Sequence, residues 1–235
     1  MPKLLIVLVL SAIILVASFS VLTGLVDTPF IRTKYGKLEG FNDVVPAYQQ
    51  SQAVLFEDKL DNVINSNVLE DGADITIAAA DEVVFTQEEI NSFLNLKVVP
   101  KVSLKELTKS LPESLKAVIL PVMSVTDFKI SDVNVAFMEG YLVVSGHVGG
   151  EGRVPFYTVF TIQKYSDYRV RVNITKASLG LIDIKGGALN SLNENVNSRI
   201  EKQMVLLEKY RIDEIQVVKG SLKYKGVFPA GLINL

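Results

Sequence analysis

Apolar positions along this chain follow three periods, and each predicts a different kind of element. The first is continuous. Leu4 to Val26 carries no charge, and Ser11, Ser18, Ser20 and Thr23 are its only polar side chains. A helix over that stretch spans roughly 34 Å, against about 30 Å of bilayer hydrocarbon, so it predicts an N-terminal transmembrane helix. Ser18-Phe19-Ser20 offers small residues for signal cleavage, but the apolar run continues past it, which favours an uncleaved signal anchor. Only Lys3 precedes the run, which is expected to leave the bulk of the chain outside the cytoplasm, although Arg32, Lys34 and Lys37 place positive charge beyond it. The expected layout is therefore an anchor at 1–26, a spacer at 27–46 containing one strand, and an extracytoplasmic domain at 47–235.

The second period is helical. Val54, Leu55, Leu60, Val63 and Ile64 share one face between Ala47 and Val68. Thr86-Gln87-Glu88-Glu89 is a capping box opening a helix to Leu96, and Ser103-Leu104-Lys105-Glu106 repeats the device, with a further short helix after Pro112. The longest stripe is Leu189, Leu192, Val196, Ile200, Met204 and Leu207, which predicts a helix from Ala188 to Tyr210. Asn190, Asn193, Glu194, Asn197, Glu201 and Glu208 are expected to fill its solvent side.

The third period is two. Asp74–Val84 reads as a strand. Val133, Val135 and Phe137 lead through a turn at Glu139-Gly140 into Tyr141, Val143 and Ser145. Gly149–Gly152 is the next turn, followed by Phe156, Thr158, Phe160 and Ile162. In the fourth strand Tyr168, Val170, Val172 and Ile174 alternate with Arg169, Arg171 and Asn173. Glu214–Val218 and Ser221–Gly226 close the chain. The fold class is α+β, with an antiparallel meander and a long helix that must cover each other's oily faces.

Composition narrows the chemistry. The net charge of −2 shows no basic excess, which excludes a nucleic-acid partner as the expectation. Cysteine is absent and His147 is the only histidine, so disulfides, thiol catalysis and a transition-metal site are not expected. His147 lies in a strand with no sequence motif supplying a nucleophile or an orienting group. Asp81-Glu82 and Glu88-Glu89 read as helix-start charges and a cap rather than a catalytic acid pair. No cofactor is implied, and the expectation is a protein that is not an enzyme.

The order of parts resembles the membrane-anchored YpmS-like and LmeA-like families of lipid-binding proteins. The resemblance rests on "FTQEEINSFLN" at Phe85–Asn95, "ISDVNVAFMEGYLVVSGHV" at Ile130–Val148, "VPFYTVFTIQ", "VRVNITKASLGLIDI", a long helix and "IQVVKGSLKYKG". It implies a TULIP-like fold, a curved antiparallel sheet wrapped around the long C-terminal helix, with a phospholipid or lipid-linked ligand held between them. The residues expected to line that groove are Val135, Phe137, Val143, Phe156, Phe160, Val170, Val172, Leu192, Val196, Ile200 and Met204. Two rival expectations remain: an envelope scaffold with a closed core that binds a protein partner, and an envelope enzyme.

Overall fold

The computed structural model describes residues 29–41, 47–65, 69–71, 74–76, 82–98, 130–148, 154–205 and 211–227. The expected anchor Leu4–Val26, the Ser103 capping box, the helix after Pro112 and the turn at Gly149–Gly152 lie outside these residues. Among the described residues no helix is long and apolar enough to cross a membrane. The architecture is mixed α+β with antiparallel sheets. In chain order the elements are α1 (Pro29–Tyr35), α2 (Gln50–Asn65), β1 (Leu69–Asp71), β2 (Asp74–Thr76), β3 (Glu82–Thr86) and α3 (Gln87–Phe93), which widens into a π-helical turn at Leu94–Val98. Then follow β4 (Ile130–Phe137), β5 (Leu142–Val148), β6 (Val154–Ser166), β7 (Arg169–Leu179), β8 (Ile182–Ile184), α4 (Gly187–Val205), β9 (Arg211–Val218) and β10 (Ser221–Val227).

The five-stranded sheet runs β4-β5-β6-β7-β8, the three-stranded sheet β3-β10-β9, and β1 pairs with β2. Asp74–Val84, expected as one strand, contributes to two sheets. The capping box at Thr86 is present: the Thr86 hydroxyl accepts from the Glu89 amide at 3.3 Å, and the Thr86 amide donates to Glu89 at 2.9 Å. Lys59 donates to the same carboxylate at 2.6 Å, which ties α2 to the start of α3.

Both faces of the large sheet are covered. On one face Ala136, Val143 and Tyr157 pack against Ile31 and Tyr35. Residues 29–41 are thus no spacer: α1 lays an apolar edge on the sheet, and Tyr35 is 1% exposed. Its hydroxyl donates toward the carbonyls of Gly180 at 2.7 Å and Pro155 at 3.0 Å, and burial pushes its pKa up to about 12. Gly40, with φ of +75°, brings the loop after α1 so close that an added Cβ would meet Val143 at 3.1 Å. On the other face Val135, Phe137 and Leu142 pack with Val217, Leu222, Ile90 and Leu94. Further along, Val172, Ile174 and Ala177 meet the stripe of α4.

Side-chain amides close the edge strand β4 and the part of β7 that the short β8, paired only with Ala177–Leu179, leaves uncovered. On β4, alternate residues turn their backbone groups outward. Val133 exchanges both bonds with the Asn95 amide, at 3.0 and 2.6 Å. Val135 does so with Asn91, at 2.6 and 3.1 Å. The Phe137 amide donates to Gln87 at 3.2 Å, and its carbonyl accepts from the Gly220 amide at 3.0 Å. On β7, Ile174 pairs with Asn193 at 2.6 and 2.9 Å, and Val172 with Asn197 at 2.9 and 2.7 Å. The spacing matches because four helical residues rise about 6.0 Å and two strand residues about 6.6 Å. A carboxamide fits because its donor and acceptor lie side by side in one plane, matching the N–H and C=O of one residue.

These positions correct the expectation that Asn193 and Asn197 lie on a solvent face. Replacing either with Ala leaves a strand N–H and C=O without partners, which costs about 1–3 kcal/mol. Asn190→Ala, at an exposed position of the same helix, should change stability by less than about 0.5 kcal/mol. Urea unfolding of the three variants checks this, and equal effects at 190 and 193 would contradict the edge-closing role.

Candidate functional site

The oily face of β6–β7 and the stripe of α4 meet in a strip to which the described residues of the helix contribute only partly buried side chains. Its strand residues Val172, Ile174 and Ala177 are buried, at 8%, 6% and 3% exposure. The helix residues opposite, Leu189, Leu192, Val196 and Ile200, are all half-buried, as are Phe160 and Ile162. Leu192 and Val196 are mid-helix, where a closed interface would remove the stripe from water. Here α4 is held to the edge of β7 by Asn193 and Asn197, so its position does not depend on complete apolar closure.

Of the expected groove residues, Phe160, Val172, Leu192, Val196 and Ile200 come together in this strip. Val135 and Phe137 share the same sheet face but are buried against β9 and β10, with Phe160 bridging the two clusters. Val170 turns toward Phe85, Ile212 and Tyr224. The Phe156 ring lies over Gly146, where an added Cβ would meet it at 2.8 Å. Val143 is a correction: it is 0% exposed on the opposite face, beside Ile31 and Tyr35. The hairpin register explains this. Phe137 pairs with Leu142 and Ala136 with Val143, so Val143 shares Ala136's face. The side chain of Met204 lies outside the described residues.

One helical step beyond Asn197 the amide ladder ends. The next rung pairs Glu201 with Val170, and a carboxylate only accepts. Instead Glu201 faces Arg169 at 3.3 Å, both side chains being more than half exposed. A surface cavity of about 280 Å³ opens there, lined by Tyr165, Arg169, Val170, Arg171, Asn197 and Glu201. Asn197 belongs to its wall, fixed by its bonds to Val172. Arg169 and Arg171 were expected on the wet side of the strand and are exposed, but the sequence pattern carried no sign that they line a cavity.

His147 sits elsewhere, in a buried polar cluster on the α1 side of the sheet. A bulge between Ser131 and Asn134 holds Asp132 at φ of 55° and brings its carboxylate to 3.5 Å from the His147 ring. Ser131 donates to the same carboxylate at 3.1 Å. The carboxylate thus stands near the ring without hydrogen-bonding Nδ1. Ser145 points to the same sheet face, and its hydroxyl makes no hydrogen bond among the described residues. The Tyr48 hydroxyl is also buried, and that burial, with the Asp132 charge as a lesser cause, pushes its pKa up to about 12.

The absence of cysteine makes the difference in cover measurable, since any introduced thiol is unique. Val196→Cys should react with a thiol reagent from the folded state, within about a hundredfold of an exposed control. Val143→Cys should react only through unfolding, slower by several further orders of magnitude. Equal protection at both positions would mean that the strip is sealed. No protein-family model matches the chain and no curated protein matches it, so a functional reading stands on the geometry of its own residues.

Proposed function

We propose that this protein handles lipid without enzymatic chemistry, tethered to a membrane by Leu4–Val26 with its folded part outside the cytoplasm. In this reading an acyl chain lies between β6–β7 and α4. The stripe Leu189, Leu192, Val196 and Ile200 carries the proposal, because it packs on the buried strand residues yet keeps part of its apolar surface exposed. From Leu189 to Ile200 the helix rises roughly 16 Å, close to half of the roughly 30 Å hydrocarbon thickness, which is the length of one leaflet's acyl chain. Burying a dozen methylenes gains about 10 kcal/mol at about 0.8 kcal/mol each, comparable with the 4–15 kcal/mol that association costs. The net gain is at most about 6 kcal/mol, so the chain alone binds reversibly, no tighter than tens of micromolar. The TULIP-like arrangement that the sequence resembles belongs to the same proposal.

Native mass spectrometry of the full chain, with organic extraction of what co-purifies, tests this. A stoichiometric acyl-chain adduct is expected, and Phe160→Asp or Val196→Asp should remove it while the far-UV dichroism stays unchanged. A clean apo mass with no uptake of added phospholipid would instead favour a closed-core scaffold that binds an envelope protein.

A further inference from the structure

The cavity at the end of the β7 amide ladder has a chemistry distinct from the apolar strip it adjoins. Two arginines two residues apart on β7 reach it, and one carboxylate opposes them, so its side chains carry a net positive charge. Arg169 is partly answered by Glu201 at 3.3 Å, whereas Arg171 has no ion pair or side-chain hydrogen bond among the described residues. Strand alternation turns the N–H of Val170 toward the same edge as those of Val172 and Ile174. The helix offers no amide there, because the rung that would be Asn or Gln is Glu201. A ligand that accepts hydrogen bonds and carries negative charge would complete the ladder.

We propose that this cavity binds a phosphate group. Guanidinium forks match phosphate oxygens in pairs, and a third oxygen can accept from the Val170 amide. At about 280 Å³ the cavity lies just under the roughly 300 Å³ that begins the range of small-molecule pockets, so it takes a headgroup and not a whole lipid. Val172 and Asn197 make the junction: Val172 faces the apolar strip, and its backbone bonds hold Asn197 in the cavity wall. Resting on the acyl-chain reading above, the inference names the ligand class as phospholipid, with the phosphate over Arg169 and Arg171 and the chain along α4. Tyr165 at the rim is 68% exposed, and Tyr168 across the β6–β7 turn is 59% exposed. Aromatic side chains of this kind favour the headgroup level of a bilayer, where such a ligand would be collected.

The test is native mass spectrometry of the detergent-solubilised full chain, titrated with dioleoyl phosphatidic acid, with dioleoylglycerol, which has the same chains and no phosphate, and with inorganic phosphate. The phosphatidic acid should bind at least about tenfold more tightly than the diacylglycerol, the lower end for a charge-assisted hydrogen bond. R169Q/R171Q should reduce it to the diacylglycerol level and leave diacylglycerol binding unchanged, which also shows that the fold survives. E201Q, which frees Arg169, should widen the preference. Equal binding of the two lipids to the unaltered chain, or a preference that survives R169Q/R171Q, overturns the headgroup site while the acyl-chain reading stands. If neither lipid binds, the acyl-chain reading fails. Inorganic phosphate that binds and is lost in R169Q/R171Q would then keep the anion site with free phosphate as its source, and no phosphate binding would overturn the site as well.

Discussion

A strand at the edge of a sheet presents an outward N–H and C=O at every second residue, and each must find a partner or stay wet. Most of this structure follows from how that demand is met. Helices running beside β4 and β7 answer it with carboxamides spaced four apart: Gln87, Asn91 and Asn95 on one side, Asn193 and Asn197 on the other. The same device on β4 and on the part of β7 beyond β8 leaves neither stretch open to pair with another chain. It also sets each helix at a fixed height and rotation relative to the strand, because the amide plane has to meet two backbone atoms at once.

That constraint acts at both ends of the sheet. At β4 the three amides and the Gly220 bond coincide with Ile90 and Leu94, which pack partly buried on Val135, Phe137 and Leu142. At β7 the amides hold α4 along its edge while the stripe beside them stays half in water. A helix held only by its apolar face has to bury that face to stay in place. One held by Asn193 and Asn197 does not, which leaves the strip free to meet a ligand. The ladder then stops at Glu201, where the cavity with Arg169 and Arg171 begins. The proposed acyl site and the proposed phosphate site are in this sense two consequences of one edge.

What the sequence disclosed follows from range. The Thr86 capping box was legible because its partners are three residues apart, and the period-two strands because the pleat imposes that period locally. The α+β class followed from these. Asn193 and Asn197 were misread as a solvated face because their partners are backbone groups 19 and 25 residues earlier, and a backbone group has no signature of its own. The recurrence of amides at spacing four, at 87, 91 and 95 and again at 193 and 197, was the available signal. Val143 was assigned to the wrong face because alternation gives the period of a strand but only the hairpin register gives its phase. The α1 segment is too short for a full amphipathic stripe, and its one local signal is the four-residue spacing of Ile31 and Tyr35, as in a helical contact pair.

Hydrogen exchange at the Val172 and Ile174 amides tests the central claim most directly. Neither amide is bonded to another strand, and each donates only to an asparagine side chain, at 2.9 and 2.6 Å. If these amides close the edge, they should be protected to within about tenfold of amides in the middle of β6, and Asn197→Ala should expose Val172 while leaving Ile174 slow. Exchange at the rate of an open edge in the unaltered chain would contradict the account, since α4 would then be held by its apolar stripe alone.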